Sequence, residues 1–373
     1  MKVLYISNDS GISGSSIALQ NIIESVIPKG VTPLVICRNH GHLTEWLSAR
    51  GLQYEIMDYN WNFQPPTKSV RDKISYCWRI LKYYMAERRS VKSVIQVADK
   101  FHPDVIHTNN GIIHFGYKAA ISLGIPHVWH IREYQDLDFG MTPIPSMNTF
   151  RNMLKRSYCI CITKGVQNYF RLKPDNSIVV YDGVMQRDSQ RFSSLKEDYF
   201  LFVGRIEDSK GFGSLISAYY TYKQKGGRTP LRVAGVGKDE YVDKMKNEVE
   251  RMDLTSNIEF LGFRTDRFDL MYKAKALIVP SKFEGFGFIT VEAIFNGCVV
   301  FGHNTAGTAE IASYCKNMVK LYDNGTELVE LMLNNHIPCS AGIKNDQNLA
   351  NTYFSSEEAG HKVFDYYNTI LCQ

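Results

Sequence analysis

Two runs in the second half of the chain carry residue types and spacings suited to binding an anion. After the apolar stretch Tyr199-Phe-Leu-Phe-Val203 comes Gly204-Arg-Ile-Glu-Asp-Ser-Lys-Gly-Phe-Gly213, which puts Arg205 and Lys210 in one loop. Two fixed cations on a glycine-rich backbone suit a diphosphate. An ordinary solvated loop between strand and helix accounts for the same residues equally well. The second run, Lys282-Phe-Glu-Gly-Phe-Gly-Phe-Ile-Thr-Val-Glu292, follows Leu277-Ile-Val279 and the turn Pro280-Ser281, with seven residues between Glu284 and Glu292. Gly285 and Gly287 leave the backbone bare ahead of an expected helix from Phe288 to Phe295, so amides and the positive helix end are offered to an anion. Glu284 falls in the loop and Glu292 about one turn into the helix. At that separation they are not an acid–base pair, and as acceptors they suit hydroxyls on two parts of one ligand. A glutamate near a helix start also complements the helix dipole, which is the plainer account of Glu292.

Weaker signals lie elsewhere. Gly302-His-Asn-Thr-Ala-Gly-Thr-Ala-Glu310 offers another helix start, and Asn8-Asp-Ser-Gly-Ile-Ser-Gly14, between the first strand and first helix, carries one Gly-x-x-Gly, a weak signal by itself. His130 stands near the end of the stretch Pro126-His-Val-Trp-His-Ile131, which Arg132 and Glu133 follow; a histidine so placed is more often structural than catalytic. Asp136-Leu-Asp138 copies a metal-binding Asp-x-Asp, but it follows Arg-Glu-Tyr-Gln instead of an apolar strand, and no metal is expected there.

The elements that must position these groups are short β-rich runs alternating with helical segments, the pattern of parallel sheets joined by crossover helices. Strands are expected at 3–7, 33–37, 53–57, 105–108, 127–131, 158–162 and 178–181, with helices around 16–27, 71–100 and 112–123. A polar stretch without hydrophobic period, 186–198, reads as a linker. Strands resume at 199–203, 231–234, 258–261, 276–279 and 299–301. The expected organisation is a doubly wound α/β domain over 1–185, the linker, a second such domain over 199–354, and a C-terminal helix within 355–373 able to pack on either. Two such domains would place a ligand at a cleft between the carboxyl ends of their sheets. The 373 residues are 44% apolar and 22% charged, which excludes a disordered polymer. No apolar run reaches the ~18 residues of a membrane-spanning helix, and Met1 to Ser7 does not read as a secretory leader, so a cytoplasmic setting is expected. Eight cysteines without paired CxxC spacing read as reduced thiols. A net charge of +5 does not imply nucleic-acid binding. Between Lys68 and Lys100, however, nine basic residues stand against three acidic ones, interleaved with Tyr76, Trp78, Ile80, Leu81, Tyr83, Tyr84 and Met85. Residues 68–100 therefore suit an anionic membrane surface or a lipid-linked acceptor, or else a solvated helix whose aromatics pack inward.

Together, Gly204-Arg-Ile-x3-Lys-Gly, Ala234-Gly-Val-Gly237, Phe260-Leu-Gly262, Val279-Pro-Ser281, Glu284-Gly-Phe-Gly-x4-Glu292-Ala and Ala306-Gly-x2-Glu310 resemble glycosyltransferase family 4 (group 1), in order and spacing over 199–315. The first domain resembles it more loosely, through Gly14, His130-Ile-Arg132 and Val180-Tyr-Asp-Gly183. The resemblance implies a GT-B fold of two Rossmann-like domains, with a nucleotide-sugar donor held mainly by the second and an acceptor by the first. It implies that Arg205 and Lys210 hold the diphosphate, and that Glu284, with the loop Gly285, Phe286, Gly287, Phe288 and Ile289, holds the sugar. By the same resemblance Glu292 holds the ribose, the backbone near Phe263 faces the base, His130 lies beside the reacting sugar, and Gly14 adjoins the phosphates. Ser13-Gly-Ser-Ser16 replaces a frequent Gly-Gly-x-Glu, Asp182 a frequent asparagine, and Ala306 a common glycine.

The resemblance further implies retaining transfer of a hexose or N-acetylhexosamine, with UDP the expected carrier and no cofactor or metal. The expected acceptor is a glycan or lipid-linked molecule in surface polysaccharide or glycolipid synthesis, at the cytoplasmic face of the inner membrane. Two other classes are weighed. A dinucleotide-dependent oxidoreductase shares the domain type but needs a full Gly-x-Gly-x-x-Gly and an acidic residue after the second strand, where this chain has Cys37-Arg-Asn-His40. A non-catalytic nucleotide-sugar-binding scaffold would not need the intact basic pair and glutamates.

Overall fold

The alternation of short strands and helices builds two parallel sheets. The computed structural model describes residues 1–65, 70–334 and 338–372. Its strands are β1 (Lys2–Ile6), β2 (Thr32–Cys37), β3 (Gln53–Ile56), β4 (Phe63–Gln64), β5 (Val105–Thr108), β6 (His127–Ile131), β7 (Thr142–Pro143), β8 (Tyr158–Cys161), β9 (Ser177–Val179), β10 (Phe200–Val203), β11 (Leu231–Ala234), β12 (Ile258–Gly262), β13 (Ala276–Val279), β14 (Val299–His303) and β15 (Val319–Tyr322). The chain divides into two units, Met1–Gly183 with Ser356–Gln373, and Val184–Ser355.

The first unit holds a sheet of order β3-β2-β1-β5-β6-β8-β9, with its paired strands parallel. Period-2 alternation sends side chains to opposite faces. From β1, Val3 and Tyr5 pack with Leu19 and Ile23 of the helix Gly14–Val26, while Leu4 and Ile6 pack with Val94 and Ala98 of the helix Val70–Phe101. The first helix starts at Ser13, whose hydroxyl accepts the Ser16 N–H at 3.3 Å and satisfies a donor the helix leaves open. A two-residue antiparallel pair, β4 with β7, lies apart from the sheet and carries no periodicity by which to expect it.

The second unit holds the order β12-β11-β10-β13-β14-β15, again parallel. In each sheet the order reverses once, between β1 and β5 and between β10 and β13, and such reversals leave a crevice at the carboxyl ends of the strands.

The C-terminal helix Ser356–Leu371 belongs to the first unit, where Ala359, Val363, Tyr366, Tyr367 and Ile370 enter the core beside the helix Gly14–Val26. Residues 186–198, expected as a linker, are instead part of the second unit. The Arg191 N–H donates to the Phe295 carbonyl at 2.7 Å, the Gln347 side-chain amide donates to the Arg191 carbonyl at 2.9 Å, and the Glu197 N–H donates to the Lys273 carbonyl at 2.8 Å. The segment lacks hydrophobic period because backbone bonds, more than a buried face, hold it.

Among the described residues, no helix is long and apolar enough to cross a membrane. Lys68 lies outside the described residues, as do the side chains of Arg71, Asp72 and Lys73. In the rest of the basic segment Tyr83, Glu87, Ser90, Val94, Ala98 and Phe101 turn inward at helical spacing. Trp78, Leu81 and Met85 face outward, 67%, 53% and 54% exposed, which overturns inward packing for these three.

Candidate functional site

The sheet reversal in the second unit brings the loop after β10 against the turn after β13. Gly211 ends the first loop with φ +70°, and a Cβ added there would stand 2.3 Å from the Pro280 carbonyl oxygen. Only glycine permits both that backbone conformation and that approach. One loop further, a Cβ on Gly307 would lie 2.0 Å from the Phe286 carbonyl oxygen, and the Gly307 N–H donates to the Glu284 carbonyl at 3.0 Å. Backbone contact thus fixes residues 284–286 between the segments that follow β10 and β14.

This packing joins two residues that lie 74 positions apart: Lys210 Nζ donates to Glu284 Oε1 at 2.7 Å, with the side chains 27% and 16% exposed. Arg205 reaches outward, 61% exposed, with Nη2 at 3.1 Å from Glu207 Oε1. The helix Phe288–Phe295 begins at Gly287, and its first closed turn runs from the Thr290 N–H to the Gly287 carbonyl at 2.9 Å. The amides of Phe288 and Ile289 precede that turn and point out of the helix end. The Thr290 and Thr308 hydroxyls flank Gly287, and both are buried without a hydrogen-bond partner among the described residues. Sequence reasoning passed over these threonines, whose only signal was proximity to the glycine run. Phe263 follows β12 and is 67% exposed.

Glu292 is buried on the helix, where Arg267 grips both its oxygens, Nη2 to Oε1 at 2.9 Å and Nε to Oε2 at 3.2 Å. Nothing in the spacing of Arg267 marked it for this role. A bidentate guanidinium leaves about two of the carboxylate's four lone-pair sites for other donors.

The remaining residues lie in the first unit. Gly14 opens the helix Gly14–Val26, next to the Ser13 cap. His130 stands one residue before the end of β6 and is completely buried, its ring 5.4 Å from that of His107 and its Nδ1 3.3 Å from Arg132 Nη2. Burial, and next the Arg132 charge, hold its pKa well below the ordinary 6.5, so the ring is neutral. Its Nε2 is buried without a hydrogen-bond partner among the described residues. Arg132 pairs with the buried Asp182 and donates to Asn109 Oδ1 at 3.0 Å. Glu133 accepts from Asn110 Nδ2 at 2.6 Å, and its Oε2 has no partner among the described residues. Burial, reinforced by Asp138, pushes its pKa up to about 8. Asp136 and Asp138 are engaged locally, by the Tyr169 hydroxyl at 2.6 Å and the Tyr134 N–H at 2.8 Å.

Residues 186–334 match the family described as glycosyl transferases group 1. Over 84% of this chain and 87% of its own length, a Klebsiella pneumoniae relative described as an uncharacterized 42.6 kDa protein in the cps region is 22% identical. A 2-deoxystreptamine N-acetyl-D-glucosaminyltransferase from Niallia circulans is 23% identical over 73% of this chain and 80% of its own. Among solved structures, Anabaena Alr3699/HepE in complex with UDP superposes with a TM-score of 0.79 at 18% identity, covering 99% of this chain and 100% of the other. At that identity the likeness establishes the fold, which is GT-B.

Proposed function

We propose that this chain, whose residues 186–334 match the group 1 glycosyl transferases, moves a hexose or N-acetylhexosamine from a UDP-sugar, with retention, to a glycan or lipid-linked acceptor. The observation that carries the reading is the contact of Lys210 with Glu284 beside the open end of the helix Phe288–Phe295. A cation suited to a diphosphate and a carboxylate suited to sugar hydroxyls stand at one spot, where the bond between sugar and phosphate would break.

Separating a diphosphate from an oxocarbenium-like sugar concentrates charge on the leaving group. Arg205, Lys210 and the amides of Phe288 and Ile289 stabilise that charge, an effect worth about 10²–10³ in rate for a single well-placed donor. Glu284 holds the sugar and supplies negative charge without a covalent adduct. The acceptor hydroxyl attacks on the face the diphosphate leaves, and a phosphate oxygen takes its proton. Glu292, with half its acceptor capacity held by Arg267, takes the ribose hydroxyls, and the backbone near Phe263 takes the base. Gly14 adjoins the phosphates, and Gly285, Phe286, Gly287 and Ile289 complete the sugar loop.

The setting is surface polysaccharide or glycolipid synthesis. Peripheral contact with an anionic membrane is supported by the outward Trp78, Leu81 and Met85 among the exposed Lys82, Arg88, Arg89 and Lys92. Co-sedimentation with phosphatidylglycerol vesicles, lost at high salt, tests that part. The donor is tested by thermal unfolding with a panel of nucleotide sugars. A true donor at ~100 times its dissociation constant adds roughly 2.7 kcal/mol, and a panel without effect refutes the reading.

A further inference from the structure

The helix Val70–Phe101 carries two stripes, each at spacings of three and four residues. Trp78, Leu81 and Met85 form the outward stripe, and Tyr83, Glu87, Ser90, Val94 and Ala98 the inward one. Val94 and Ala98 meet Leu4 and Ile6 in the apolar core, whereas Glu87, beside the outward stripe, is held by polar contacts. The Tyr83 hydroxyl donates to Glu87 Oε1 at 2.6 Å, Asn62 Nδ2 donates to the same oxygen at 3.3 Å, and Lys118 pairs with Oε2. Asn62 is itself buried and spends its other polar groups on further segments. Its Oδ1 accepts the His114 N–H at 2.7 Å, its N–H donates to the Ile112 carbonyl at 2.6 Å, and its carbonyl accepts the Ile144 N–H at 2.8 Å. The Ile112 N–H donates to Asn110 Oδ1 at 3.0 Å, and Asn110 Nδ2 donates to Glu133 Oε1 at 2.6 Å. An unbroken run of hydrogen bonds thus leads from the inner side of the helix to Glu133, whose Oε2 is buried without a partner among the described residues.

A ligand shifts a protein between two arrangements only through contacts that differ between them. The outward stripe supplies such contacts, since Trp78, Leu81 and Met85 face water in one state and the acyl boundary of a bilayer in the other. Seating them requires the first half of the helix to settle against the rest of the unit. Close apolar packing at Val94 and Ala98 resists that displacement, while the hydrogen bonds at Glu87 pass it to Asn62. We propose that contact of Trp78, Leu81 and Met85 with an anionic lipid surface repositions Glu133 through Glu87, Asn62 and Asn110, so that the membrane regulates the loop at 132–135. Glu87, Asn62 and Asn110 are positioning residues in this device. It rests on the membrane contact proposed above and adds the transmission of that contact inward.

Hydrogen exchange read by mass spectrometry, on the full chain with and without phosphatidylglycerol vesicles, tests it. In the wild type, exchange at 109–114 and at 132–135 should change about threefold or more when the vesicles are added, and should not change with phosphatidylcholine vesicles. Glu87→Met fills the same space without an acceptor, so the protein should still sediment with the vesicles while both responses are lost. Asn110→Leu keeps the shape but cuts the last link, so the response should persist at 109–114 and vanish at 132–135. Sedimentation of the wild type without a change at 132–135, or the wild-type response in Glu87→Met, overturns the proposal; if that variant does not fold, the wild-type response at 132–135 in Asn110→Leu overturns it. A wild type that does not sediment with the vesicles overturns it together with the membrane contact. The transferase reading then still stands, because protection by nucleotide sugars reports on it separately.

Discussion

Replacing Glu284 by glutamine should tighten the binding of UDP while collapsing turnover of the sugar donor. In the structure Lys210 Nζ sits 2.7 Å from Glu284 Oε1, so the diphosphate must compete with this carboxylate for its cation. With side chains 27% and 16% exposed, the pair is stronger than a surface ion pair of 0.2–1 kcal/mol, but it stays partly solvated. Taking about 1.4 kcal/mol for the lost competition, Glu284→Gln should bind UDP about tenfold more tightly, because glutamine keeps the shape and removes the charge. Turnover should fall by about 10²–10³, since the grip on the sugar is lost. Isothermal titration with UDP, at low and high salt, measures the first effect. In a Lys210→Met background the gain from Glu284→Gln should shrink markedly, because no cation remains to be released. Weaker UDP binding by Glu284→Gln, together with wild-type UDP binding by Lys210→Met, would refute the assignment of this pair to the diphosphate.

Three further outcomes are expected. Arg267→Met strands the buried Glu292 carboxylate; discounted for an arginine 33% exposed, the loss should be about 2 kcal/mol of stability, read as a lower urea midpoint, with weaker binding of uridine nucleotides. Gly307→Ala pushes a methyl group to within 2.0 Å of the Phe286 carbonyl oxygen, so the sugar loop must move; nucleotide-sugar protection against thermal unfolding should be lost, and an unchanged profile would show that the loop accommodates the methyl freely. Burial holds His114 and His127 at about 3, below the ordinary 6.5, so the unfolded chain binds more protons in between. Stability contributed by each neutral ring is complete above pH 6.5 and falls by about 1.4 kcal/mol per pH unit as the pH drops toward 3. Urea midpoints measured from pH 7 to 4 check this, and a His127→Asn protein with the wild-type slope contradicts it. Glu133, raised to about 8, has the opposite sign, adding stability as the pH falls from 8 toward 4.5.

Much of the architecture was legible because local patterns impose it. Strands β5, β6, β11 and β13 stand where apolar runs between turns placed them, and the helix Phe288–Phe295 starts at the glycine expected to open it. The last helix, expected within 355–373, buries Ala359, Val363, Tyr366, Tyr367 and Ile370 at helical spacing. A stripe of this kind says that a face will be covered but not by what, so only the tertiary structure assigned that helix to the first unit. The pairing of Lys210 with Glu284 and of Arg267 with Glu292 joins residues 74 and 25 positions apart through a sheet reversal, which no local period encodes. The burial of His130 was hidden for a related reason: a strand end reads the same whether its last side chains meet solvent or a layer of neighbours. Residue types and spacing determined which groups carry the chemistry; the crossing of strands determined which of them touch, because contact depends on distances in space that chain separation does not set.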